Sequence, residues 1–156
     1  MWITYEDKLA DQIRRRYGLQ HVNPIDMHII SASENVSVVP LIDCLGDGAS
    51  GMFRTDGSNP VIEINPQKSN AHQRFTFAHE LGHYFLGHGN AARDTQAQLM
   101  ARDPQEMSAN RFAAALLMPA EDVQNAVFAG MSLSQMAALF GVSEEAMGYR
   151  IQNLGL

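Results

Sequence analysis

The order of apolar and polar positions divides the chain into a mixed early part and a helical late part. Thr4 with Asp7 three residues on gives a capping signal, and Leu9, Ile13, Arg16 and Tyr17 follow at helical spacing until Gly18, which predicts a first helix. Pro24 suits a first helical turn, and Ile25, Ile29 and Ile30 supply an apolar stripe to about Asn35, a short second helix. From Val36 to Ile42 the residues are mainly β-branched or apolar and favour a strand, while Gly46 to Gly51 reads as loop. Met52 to Thr55 and Val61 to Asn65, joined by Asp56 to Pro60, predict a hairpin and so a small sheet of three strands.

After Pro66 the period changes. Phe75, Ala78, Leu81, His83 and Leu86 recur at helical spacing between Asn70 and about Gly87. Asp103 ahead of Pro104 is a cap followed by a first-turn proline, and Met107, Asn110, Ala114, Leu117 and Met118 continue the helix to Pro119. Further helices are expected over Glu121 to Ala129, over Ser132 to Phe140, and from Ser143 on. The predicted class is α+β, read as one domain over 1–156, with a core over 1–120 and a helical C-terminal part over 121–156.

Composition narrows the function. With 156 residues and 46% hydrophobic residues, the chain can bury about two thirds of its unfolded surface, so it needs no structural metal. A formal charge of −6 opposes a nonspecific hold on nucleic acid, which needs clustered Lys and Arg. The one basic run, Arg14 to Arg16, is read as a solvated helix face. A single cysteine, Cys44, forms no internal disulfide and suits a reducing compartment. The start carries Glu6 and Asp7 without an apolar core, unlike a signal peptide, and no stretch is long enough to span a bilayer; a cytoplasmic location is expected.

The chemistry concentrates at His79-Glu80-Leu81-Gly82-His83. Two histidines four apart share one helix face, where both imidazoles can reach a single zinc ion, and Glu80 beside them can serve as general base for the attacking water. Chance produces such a pattern in roughly 1% of chains this size, so its place inside an amphipathic helix matters. An ordinary pair of core histidines with a glutamate would be a costly way to build an interior. A catalytic zinc commonly takes three protein ligands. Asp94, Asp103, Glu106, Glu121, Asp122 and His88 are candidates for the third. Glu106 is favoured because it lies on the inward line Glu106, Asn110, Ala113, Leu117, whereas His88 sits just past the helix end, too near His83 to swing back.

The run from Arg74 to His88, RFTFAHELGHYFLGH, followed by Glu106 to Pro119, EMSANRFAAALLMP, resembles the ImmA/IrrE metallopeptidases in order and spacing. The likeness extends from about Val36 to the C-terminus. It implies a zincin-like domain with His79, His83 and Glu106 as zinc ligands and Glu80 as catalytic base. Ser108 stands where many relatives carry another polar or charged residue, which touches nothing catalytic. The resemblance further implies an endopeptidase that cleaves a helix-turn-helix repressor encoded nearby, derepressing a mobile-element, stress-response or antiphage operon. Some relatives are activated by single-stranded DNA, which the acidic charge here does not favour. The alternative is a regulatory partner that binds such a repressor without hydrolysis.

Secondary features are weighed beside these. His72, Tyr149 and Arg150 are candidate oxyanion donors, each more often an ordinary surface or packing residue. Cys44 is read as a structural thiol rather than a ligand that silences the zinc. Met136 to Ser143 and the helix after it resemble a helix-turn-helix. Glu144 and Glu145 open that last helix where phosphate contacts would be needed, so packing is the expected role.

Overall fold

A computed structural model describes residues 1–42, 48–56, 59–89 and 103–156. They fall into two compact units, one over Asp26–Ala113 and the other over Met1–Ile25 with Ala114–Leu156.

The unit over Asp26–Ala113 opens with α1's successor in the chain, the short helix α2 (Met27–Ser33), after α1 (Tyr5–Arg16) of the other unit. Asp26 caps α2 by accepting from the His28 amide. That cap places Pro24 and Ile25 ahead of the helix, not in its first turn as the sequence suggests. Three strands follow, β1 (Ser37–Pro40), β2 (Gly51–Asp56) and β3 (Asn59–Ile64), in spatial order β1-β3-β2. The β2–β3 pair is the expected hairpin; β1 runs parallel to β3, with Ser37 opposite Val61. Phe53 and Ile62 face each other across the hairpin, and both are buried.

Helix α3 (Asn70–Phe85) packs on this sheet with Thr76 and Glu80 at the start of β2 and Tyr84 against Phe53, and Ser69 caps it. Two glycines set how closely its neighbours approach. A Cβ on Gly51 would lie 2.5 Å from Thr76 Cγ2 and 2.7 Å from the Glu63 carbonyl oxygen, so only glycine lets β2 start hard against α3. At Gly82 a Cβ would sit 3.2 Å from Ala109 Cα and from the Phe112 ring, which marks the crossing of α3 with α4 (Pro104–Leu117). Asp103 caps α4 as expected, accepting from the Gln105 amide at 2.8 Å.

The other unit holds α1, the end of α4, then α5 (Ala120–Phe128), α6 (Leu133–Phe140) and α7 (Glu144–Leu154). The Thr4–Asp7 capping box of α1 is present in full. Phe140, Met147 and Leu154 are buried, and Ser132 and Ser143 cap α6 and α7. Arg14 departs from the expected solvated face: it is 2% exposed. Its guanidinium donates to the Leu116, Leu19 and Val22 carbonyls and to Asn23 Oδ1. Five N–H groups so placed make Arg14 an internal brace, leaving Arg15 paired with Asp11 on the surface. Arg150 does similar work, donating to the Met118 carbonyl and to buried Asp7 at 2.6 Å.

Candidate metal centre

Helical geometry places His79 and His83 one turn apart on the face of α3 turned to α4, and the close crossing at Gly82 brings Glu106 within reach. His79 Nε2 lies 2.9 Å from Glu106 Oε2, His83 Nε2 lies 3.1 Å from Glu106 Oε1, and the two Nε2 atoms are 3.2 Å apart. Both imidazoles are buried, and the Glu106 side chain is 13% exposed. One proton can serve one edge of this triangle; a cation bound by the three donors would serve them all. A His-His-Glu set is the donor chemistry of a catalytic divalent metal. The three donor atoms lie within 4.8 Å of one another and fit such an ion.

Glu80 is fully buried next to the first histidine. A Cβ on Gly51 would approach Glu80 Oε1 to 3.6 Å, so this carboxylate lies under the start of β2. Among the described residues β2 is an edge strand.

The remaining sequence candidates separate clearly. Asp103 caps α4, and Glu121 and Asp122 open α5 in the other unit, where Asp122 accepts from Asn23 and contacts His21. Asp94 and Cys44 lie outside the described residues. His72 pairs with Ser50 Oγ at 2.7 Å. Burial, with Lys68 adding, holds its pKa below the ordinary histidine value. The Ser50 partner of His72 is the chain neighbour of Gly51, the residue that covers Glu80. Arg150 is committed to Asp7 and Met118, and Tyr149 is 59% exposed in the same unit.

His88 is where the structure departs from the sequence expectation. Gly87 takes a φ of +72°, the His88 amide donates to the His83 carbonyl at 3.0 Å, and the Gly87 amide donates to the Tyr84 carbonyl at 3.2 Å. These two bonds are a Schellman turn. The chain folds back and puts His88 Nδ1 2.8 Å from His83 Nδ1, behind the ring and away from the donor triangle. Asn110 was visible in the sequence only as an inward position. One turn beyond Glu106 on α4, its Oδ1 meets His79 Nδ1 at 2.8 Å.

Comparison with known proteins bears on this arrangement. The model of the IrrE N-terminal-like domain, Peptidase_M78, matches residues 26–152, beginning about ten residues before Val36. Metallopeptidase ImmA of Bacillus subtilis (strain 168) is 30% identical over 110 residues, 69% of this chain and 65% of ImmA. An immunity region protein 2 of Bacillus phage phi105, itself uncharacterized, is 31% identical over 112 residues, 71% of this chain and 70% of that protein. A solved Mycobacterium tuberculosis transcriptional regulator superposes with a TM-score of 0.65 at 18% identity, covering 97% of this chain and 48% of that one; that likeness is one of fold. The chain therefore spans less than two thirds of ImmA and about half of the regulator.

Proposed function

The chain belongs to the IrrE N-terminal-like domain family, and from that premise we propose that it is a zinc-dependent endopeptidase that cleaves a helix-turn-helix repressor encoded near it. The observation that carries the reading is the convergence of His79 Nε2, His83 Nε2 and the Glu106 carboxylate beside a buried Glu80. The names of two relatives, a metallopeptidase and a phage immunity region protein, support peptide hydrolysis in a phage-type regulatory setting.

Zinc, when bound, would supply Lewis-acid polarisation of the scissile carbonyl and of the attacking water. His79, His83 and Glu106 would hold it. Glu80 takes the proton of the attacking water and delivers it to the leaving amine, the two halves of general acid–base work. Its place under the start of β2 gives the substrate a route: an extended segment pairs with the β2 edge, and its scissile bond is carried past Glu80. A single-stranded DNA activator draws no support from the Arg14–Arg16 run, because Arg14 is enclosed. No helix among the described residues is long and apolar enough to cross a membrane.

The test is incubation of the zinc-loaded protein with the helix-turn-helix protein of a neighbouring gene, beside Glu80→Gln and a chelator control. Cleavage should fall by about 10²–10⁴-fold in Glu80→Gln while bound metal is retained, the usual share of a general base. Binding of the repressor with zinc present and no cleavage under any condition would instead establish the regulatory-partner reading.

A further inference from the structure

Each metal-facing imidazole is gripped from behind. An imidazole offers a lone pair at one nitrogen only when the other carries the proton, so whatever holds the far nitrogen decides which atom faces the metal. Nδ1 of His79 meets the side-chain oxygen of Asn110, and Nδ1 of His83 meets Nδ1 of His88.

We propose that Asn110 and His88 are the positioning residues of the metal centre, fixing His79 and His83 in the form that binds metal through Nε2. The inference rests on the metal reading above.

The two supports come from different local structures. On α4, Glu106 and Asn110 are four residues apart and share one face, so one helix supplies both a donor to the metal site and the partner of His79. At the end of α3 the support depends on Gly87. Its left-handed backbone lets the amides of residues 87 and 88 close on the Tyr84 and His83 carbonyls, and the same reversal sets the His88 ring edge-on to His83 at a centroid distance of 5.1 Å. A contact between the residue after the turn and the one five before it usually serves packing; here it is a polar contact between two rings. A 2.8 Å separation of two ring nitrogens requires a proton between them, and with His83 as its donor the Nε2 lone pair of His83 points at Glu106 and His79. Among the described residues Gly87 has no neighbour where a Cβ would project, so its requirement is conformational.

The experiment measures Zn²⁺ dissociation constants by chelator competition, the visible spectrum of the Co²⁺ form, and the melting temperature of metal-free protein. The proteins are wild type, Asn110→Ala, Asn110→Asp, His88→Ala and Gly87→Ala. Loss of an outer-shell partner weakens metal binding by about 10–100-fold, so Asn110→Ala and His88→Ala should each do so and shift the Co²⁺ spectrum. Asn110→Asp, which keeps an acceptor facing Nδ1, should stay within about threefold of wild type, and Gly87→Ala should reproduce His88→Ala. If Asn110→Ala does not fold, Asn110→Asp and His88→Ala still decide. Zinc binding within about twofold of wild type in His88→Ala and Asn110→Ala overturns the inference. Equal weakening by Asn110→Asp and Asn110→Ala also overturns it. If wild type takes up neither metal, the metal reading itself fails and this inference with it.

Discussion

Arg14 and the His79–His83–Glu106 cluster are both polar groups withdrawn from water, Arg14 at 2% and His83 at 1% exposure, and they are satisfied in different ways. Around Arg14 the five N–H donors of one cation meet three carbonyls and an amide oxygen of the same unit, with nothing further required. Around His79 three groups rich in lone pairs converge to within 3.2 Å, while Asn110 Oδ1 and His88 Nδ1 meet the far nitrogens of the two rings. A buried charge complemented in full by its own chain is architecture. Acceptors aimed at one another are an arrangement for a cation from outside.

The contrast is broken most forcefully at Arg14. Arg14→Met keeps most of the volume and leaves the buried Leu19 and Leu116 carbonyls without their donor. At about 1–3 kcal/mol for each orphaned group, stability should drop by about 2–6 kcal/mol, and at about 2–4 °C per kcal/mol the melting temperature falls by roughly 10 °C. The fall should be the same with and without metal. A loss seen only in metal-loaded protein would place Arg14 in the metal's service and erase the distinction.

The open centre should instead answer to metal. Free zinc at a hundred times its dissociation constant adds about 2.7 kcal/mol, which at about 2–4 °C per kcal/mol raises the melting temperature by roughly 5–10 °C. Glu106→Gln should remove most of that increment. If the full increment survives the substitution, Glu106 is not a ligand and the triangle is held by protons.

A smaller effect tests how the open centre is assembled. Gly51→Ala drives a methyl into Thr76, whose side chain can rotate, and into the Glu63 carbonyl, which is backbone and cannot. Overpacking of this kind costs about 1–3 kcal/mol. Because the displaced strand is the one above Glu80, cleavage should suffer more than zinc affinity. Equal losses in both would mean that β2 supports the metal site as a whole and not the base and substrate edge.

These differences follow how legible each region is in the sequence. Caps are local: Thr4 with Asp7 and Asp103 before Pro104 declare their helices within four residues, and both are in place. The candidate metal triad is legible because His79 and His83 share a turn and Glu106 is a carboxylate on an inward line. What the sequence hides depends on contacts distant along the chain or on a backbone angle. Arg14 looks like a surface residue until the Leu116 carbonyl, 102 residues away, arrives beside it. Gly51 and Gly82 look like ordinary glycines until the partner surfaces that exclude a Cβ are known. His88 looks too close to His83 to matter, because spacing says nothing of a left-handed Gly87. Asp26 outcompetes Pro24 as a helix start through one side-chain bond to His28, a choice that propensity alone does not resolve.

The weakest expected effect belongs to the surface of the closed unit. His21 contacts Asp122 Oδ1 at 2.5 Å, with its own side chain 64% exposed. The hydrogen bond to Asp122, then its charge, raises the His21 pKa above the ordinary value; Glu121 adds to this and Arg15 opposes it. A histidine whose pKa is higher folded than unfolded stabilises the fold fully below the unfolded pKa of about 6.5, and the contribution disappears as pH rises through the folded pKa. His21 sits at φ +59°, a left-handed conformation that asparagine tolerates, so His21→Asn removes the titrating ring without adding strain. The melting-temperature gap between wild type and His21→Asn should be widest under mildly acidic conditions and should narrow steadily toward alkaline pH. A gap that stays constant would assign the contact to neutral hydrogen bonding, and one that widens with pH would reverse the direction of the shift.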